Sequence, residues 1–168
     1  MTGQNAKTPI KVRKLGHVVY EVSDVERSTD FWTRIMGFHV SDRNEGGMVF
    51  LHCAGDHHTI ALVPTPDGKK PAKHQDGLLQ IHHWAMEVDS METLFAARDF
   101  VRSQGMELTY EGRRGPGSNP GIEFRDPDGY TIELYYGMDQ MTEPGKSRPA
   151  EQWKRAESLE EARANPVD

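Results

Sequence analysis

The chain has 168 residues, enough for one domain or two small modules sharing a core that bury roughly 70% of the unfolded surface. Twenty Lys and Arg against 26 Asp and Glu leave a net charge of −6, which argues against a nucleic-acid or anionic-membrane partner. Cys53 stands alone, excluding an intrachain disulfide or a multi-cysteine metal site; nothing approaches a transmembrane run or a signal-peptide core, so a soluble cytoplasmic protein is expected.

From Lys14 the order is strand, helix, then three strands. LGHVVYEV (15–22) is apolar and β-branched, as a strand requires. Ser23 or Asp24 can cap a helix carrying Val25, Phe31, Trp32 and Ile35 at near-helical spacing, and Gly37 stops it. FHVSD (38–42), GMVFLHC (47–53) and HHTIALVP (57–64) follow as short strands. TPDGKKPAKHQDG (65–77) breaks the periodicity and reads as a linker. The order then repeats. IHHWAMEV (81–88) is a strand, Asp89 or Ser90 a cap, and METLFAARDFVRSQ a helix ending at Gly105. MELTYE, PGIEFR and YTIELYY complete the second set, with the last two joined by a turn at 126-DPDG-129. Beyond Met138, DQMTEPGKSRPAEQW reads as a loop and SLEEARA (158–164) as a short helix capped by Ser158, in a tail that packs on its own chain or a neighbour.

The two halves align. GHVVYEVSDVE (16–26) matches HHWAMEVDSME (82–92), and 59-TIAL-62 matches 131-TIEL-134. A repeat of this kind means two half-sheets closing on one another. The fold class expected is α+β: two tandem βαβββ modules forming a curved mixed sheet that encloses a site. The boundaries are an N-terminal arm 1–13, one domain 14–138 (module one 14–64, linker 65–77, module two 78–138) and a C-terminal tail 139–168.

The repeat sorts the eight histidines. His17 falls over His83, while His82 falls over Gly16 and, by strand alternation, would face away. Ala61 falls over Glu133, a carboxylate flanked by Ile132 and Leu134 in an apolar strand, where it is costly unless paired or bound to metal. Two histidines and a carboxylate make the facial triad of non-haem Fe(II) oxygenases. Taken singly, each is as readily a core histidine or an edge-strand glutamate.

The motifs GHVVYEV, HHTIALV, IHHWAMEV and GRRGPGSNPGIEFRDPDGYTIELY resemble the vicinal oxygen chelate (glyoxalase/bleomycin resistance/extradiol dioxygenase) superfamily over residues 14–138. Within it the sequence is most similar to one-domain type I extradiol ring-cleavage dioxygenases. The resemblance implies iron ligands His17, His83 and Glu133, with His58, in H-T-I-A-L, as a nearby proton-handling histidine. It implies Fe(II), with Mn(II) or another divalent metal able to substitute, a small aromatic diol and O2 as reactants, and a homodimer or larger homo-oligomer.

Two positions depart from that pattern. Arg114 stands where the family often has histidine in G-R-H-G-P-G, and Glu123 where it often has a diol-binding tyrosine. Arg114 can still offer charge-assisted donors to substrate, or be a solvated loop residue. Ionised Glu123 cannot donate. It leaves open a metal-dependent isomerase or lyase in which it is the proton-transfer base. Arg113, Arg114 and Arg125 are the basic candidates for a phosphonate-binding transferase, and a non-catalytic small-molecule binder of the same fold is the third class. Trp84, Phe124, Tyr130 and Met48 are candidate pocket walls, and each is as readily core.

Overall fold

Each half of the chain opens with a short β-branched or apolar strand, and a small polar residue ends it by capping a helix. In the first half β1 (Val18–Val22) leads to α1 (Val25–Asp30), whose cap is Asp24: its carboxylate accepts from the main-chain N–H of Glu26 and Arg27 at 3.1 and 3.0 Å. In the second, β5 (Trp84–Glu87) leads to α2 (Met91–Ser103), capped by the Ser90 hydroxyl on Thr93 N–H at 3.0 Å. The computed structural model describes residues 11–69, 81–141 and 146–167. The chain divides into two units, Met1–Lys69 and Lys70–Asp168.

Unit one adds β2 (His39–Arg43), β3 (Val49–His52) and β4 (Ile60–Pro64), in the sheet order β1-β4-β3-β2. Unit two adds β6 (Leu108–Arg113), β7 (Pro120–Arg125) and β8 (Thr131–Tyr135), in the order β5-β8-β7-β6. In both sheets the first and last strands pair in parallel and the other pairs are antiparallel. The fold is therefore α+β, with two βαβββ units each built on a mixed four-stranded sheet.

The repeat holds at the level of register. Val19 pairs with Ala61 as Ala85 pairs with Glu133, and Phe50 faces Ala61 as Glu123 faces Glu133. Each unit buries its own apolar set: Val22, Trp32, Leu51, Ile60 and Leu62 in the first, Leu94, Ile122, Phe124, Ile132 and Leu159 in the second. Full burial of each such side chain is worth about 1.5–3 kcal/mol.

Two elements differ from expectation. The strands expected over 15–22 and 81–88 begin at Val18 and Trp84, so His17, His82 and His83 precede the ladders rather than lie in them. Helix α1 does not run unchanged to Gly37 but widens into a π-helical turn, Phe31–Ile35. The turn carries two adjacent rings, Phe31 and Trp32, into the core, where the indole N–H donates to the Tyr20 hydroxyl at 2.7 Å. The tail packs on its own chain, one of the two arrangements expected: Arg113 and Ala156 form an antiparallel bridge and α3 (Leu159–Ala164) packs on β6. Of the expected linker, Pro66–Gly68 is a 3₁₀ turn; residues 70–80, like most of the N-terminal arm, lie outside the described residues. No described helix is long and apolar enough to cross a membrane.

Candidate metal centre

In unit two, β-pairing sets two carboxylates side by side. Glu123 on β7 and Glu133 on β8 are cross-strand partners, 5% and 7% exposed. Their spacing of ten residues is set by the turn between the strands, where the Asp126 carboxylate accepts from Asp128 and Tyr130 N–H at 2.9 Å each. Gly121 leaves room for the second carboxylate, because a Cβ there would stand 3.0 Å from Glu133 Oε1. Two buried like charges this close require a cation or a proton.

His83 supplies one neighbour. Its position one residue before β5, the strand paired with β8, puts Nε2 3.0 Å from Glu133 Oε2 and Nδ1 3.9 Å from Glu123 Oε1. Arg114 supplies another: Nη1 donates to Glu123 Oε1 at 2.5 Å, and the guanidinium lies 3.6 Å over the Tyr110 ring. Asn119 reaches Glu133 Oε1 at 3.4 Å. Burial pushes the Glu133 carboxyl above the usual glutamate range; the His83 ring opposes the shift and the Glu123 charge adds to it. The Arg114 guanidinium is held further toward its charged form by its bond to Glu123.

His83, Glu123 and Glu133 each present a ligand atom within 4.8 Å of the others. An imidazole nitrogen and a carboxylate oxygen 3.0 Å apart suit adjacent positions on one divalent ion, since ligand bonds of about 2.1 Å at a right angle span about 3.0 Å. A buried carboxylate beside an imidazole is a donor set that suits such an ion. The residues fit a divalent metal.

Unit one holds His17 and His58. Their ring centroids lie 4.5 Å apart, and His58 Nδ1 is 3.1 Å from His57 Nδ1. Burial, then the neighbouring His17 and His57 rings, lower the His58 pKa from its usual value. His57 is exposed, while His58 also packs against Phe50 at 5.2 Å.

The structure thus gathers His83, Glu133, Glu123 and Arg114 in one unit and His17 with His58 in the other. His82, expected to turn away from the metal, lies beside His83, Nδ1 to Nδ1 at 2.8 Å. The alternation that separated them does not apply ahead of the strand. The three candidate phosphonate arginines do not form a cluster. Arg113 is buried under the tail, Arg125 bonds the Gly129 carbonyl at the turn, and Arg114 is engaged by Glu123. Phe124 is core, at 0% exposure. Tyr110 and Asn119 were not singled out from sequence. Tyr110 is paired with Glu123 across a β-bulge that offsets simple counting, and Asn119 comes from a loop with no period to read.

Comparison with known proteins agrees with this architecture. Residues 14–134 match the glyoxalase/bleomycin resistance protein/dioxygenase superfamily. The chain belongs to that superfamily. Its relatives there include a 2,2',3-trihydroxybiphenyl dioxygenase of Sphingomonas paucimobilis, 32% identical over 73% of this chain and 41% of the relative. Another is a manganese-dependent 2,3-dihydroxybiphenyl 1,2-dioxygenase of Geobacillus genomosp. 3, 28% identical over 80% of this chain and 40% of the relative. The chain spans about two fifths of the length of these curated superfamily members. Among solved structures, a glyoxalase/dioxygenase from Nostoc punctiforme shares the superfamily fold, with a TM-score of 0.62 at 20% identity over 82% of this chain and all of the other.

Proposed function

We propose that the chain is a divalent-metal-dependent extradiol-type dioxygenase that opens a catechol-like ring, 2,3-dihydroxybiphenyl-like in class, with O2. The observation that carries this reading is the contact at 3.0 Å between half-buried His83 and buried Glu133, standing where the internal repeat places His17 and Ala61 in unit one. The named activities of the relatives support the reaction class.

His17, His83 and Glu133 would hold Fe(II), or Mn(II), as one ligand from the start of each unit and one from β8. Bound there, the ion favours the deprotonated diol and serves as a template for diol and O2. The protein's own groups then divide the remaining tasks. Glu133 supplies one negative charge against two neutral imidazoles, leaving a positive site that attracts a catecholate. The buried setting of Glu133 excludes water from its carboxylate and strengthens that attraction. His58, with Nδ1 toward His57, has Nε2 to take a proton from the diol and return one to the opening ring. Arg114 has further N–H groups beyond the Nη1 spent on Glu123, and these orient an anionic diol oxygen.

A second reading rests on Glu123. A buried carboxylate 3.9 Å from His83 Nδ1 is a proton-transfer base for a metal-dependent isomerase or lyase of the same superfamily.

Loading the chain with Fe(II) without air, then adding air with a catechol panel, separates the readings. Oxygen uptake with a yellow ring-fission product supports the dioxygenase. Metal binding with no oxygen uptake across the panel would favour the isomerase or lyase.

A further inference from the structure

The segment 112-GRRG-115 sends its two arginines in opposite directions, as successive residues at a strand end do. Arg114 reaches Glu123 and the metal centre. Arg113 turns to the tail and is 4% exposed. Its Nη1 donates to the carbonyls of Lys154 and Asn165 at 2.8 and 2.9 Å, and its Nη2 to that of Ala162 at 2.5 Å. Its main chain exchanges two hydrogen bonds with Ala156, at 2.8 and 3.1 Å.

The glycines on either side are spaces the tail fills. A Cβ on Gly112 would stand 2.2 Å from the Ala156 carbonyl oxygen, and one on Gly115 2.9 Å from the Trp153 ring. One residue before them, Glu111 accepts from Arg98 and Arg102 at 2.9 and 2.7 Å, while Arg98 also reaches Glu160 on α3 at 2.7 Å. The backbone carrying Arg114 is therefore gripped by the tail on both sides.

We infer that the tail segment 153–165 is a working part of the metal centre: by clamping GRRG it holds Arg114 on Glu123, and so withholds Glu123 from the metal. This rests on the metal-dependent reading given above. Glu123 has a carboxylate oxygen 3.9 Å from His83 Nδ1 and lies directly across from Glu133, and the three residues each offer a ligand atom within 4.8 Å of the others. Arg114 competes with the metal for Glu123. The Arg114 side chain is 46% exposed, so its own surroundings immobilise it only in part. A pre-ordered backbone removes much of the entropy cost of keeping it on Glu123. Released, the arginine moves into solvent and Glu123 becomes a fourth protein ligand. Arg113 and Trp153 are positioning residues in this scheme.

The test is calorimetric titration of the full metal-free chain with Mn(II). Trp153→Ala and Arg113→Met should bind Mn(II) about tenfold more tightly than wild type, and Arg114→Met at least as tightly as either. Adding Glu123→Gln to each should cancel the gain. Damage of a merely structural kind moves affinity in the other direction. If Arg113→Met does not fold, Trp153→Ala, at the edge of the contact, carries the test alone. Unchanged or weaker binding in folded Trp153→Ala and Arg114→Met chains, beside a wild type whose binding needs His83, overturns this inference and leaves the metal site standing. A wild type with no His83-dependent binding removes both.

Discussion

The same place in the two repeats carries opposite chemistry. In unit one the inner strand pair presents Phe50 opposite Ala61, with His17 ahead of the first strand. In unit two the equivalent pair is Glu123 opposite Glu133, with His83 in the corresponding place. One fold has been given an apolar wall with two packed imidazoles in one copy, and two buried carboxylates with an imidazole and a guanidinium in the other. The sheet edges differ as well: β2 is exposed over most of its length, whereas β6 is covered by the tail. Duplication supplies the scaffold twice, while only the second copy holds the buried carboxylates and is covered by the tail.

The sharpest way to break this comparison is at the ligands. His83→Ala and Glu133→Gln should each weaken Mn(II) or Fe(II) binding by more than about a hundredfold in a calorimetric titration, exceeding the 10–100-fold typical of outer-shell residues. His82→Ala should change it only a few-fold, although the two rings touch. Equal losses from His82→Ala and His83→Ala would show that the repeat register does not select the ligand.

Next in size is the covering of unit two. Leu159 is fully buried between α3 and the sheet, so Leu159→Ala should cost about 2–5 kcal/mol in denaturant unfolding. A cost under about 0.5 kcal/mol would mean the tail is held by its polar contacts alone.

Unit one offers a smaller contrast. Tyr20→Phe removes the acceptor of the Trp32 indole N–H and leaves it buried, at a cost of about 1–3 kcal/mol. That loss should leave Mn(II) affinity unchanged within twofold, as it lies in the core and not at His17.

The smallest effect is on pH dependence. Glu133 sits above the ordinary glutamate value of 4.5 because of burial. Over the range from that value up to its folded pKa, the folded metal-free chain holds a proton that the unfolded chain has lost. Stability therefore falls as pH rises through this window and levels off above it. Melting temperatures measured with chelator should show a flatter slope there for Glu133→Gln. Identical slopes would mean the carboxylate is already ionised in the folded chain.

Much of the architecture was legible in the residues. Asp24, Ser90 and Ser158 are caps because short polar side chains satisfy helix N–H groups, and all three do so in the structure. The offset between 59-TIAL-62 and 131-TIEL-134 appears as the shared register of Ala61 and Glu133. What stayed hidden depends on contacts between distant segments. Pattern alone could not show that His82 and His83 precede the ladder, because strand starts are set by pairing with β8. Nor could it show that Arg113 is buried, since its three acceptors are tail carbonyls 41 to 52 residues further along the chain. The cost of placing two carboxylates opposite one another was likewise invisible until the β-bulge and turn had fixed the register.

The proposal at the centre of this reading is that His83 and Glu133 hold a divalent ion, with His17 as the further ligand that the superfamily resemblance implies. Anomalous scattering from crystals of the full chain grown with Mn(II) tests it most directly. The expected result is one strong site bonded to His83 Nε2 and a Glu133 carboxylate oxygen, with His17 as the second imidazole. An ion held by His82, one bound without Glu133, or no ordered ion at all would contradict it.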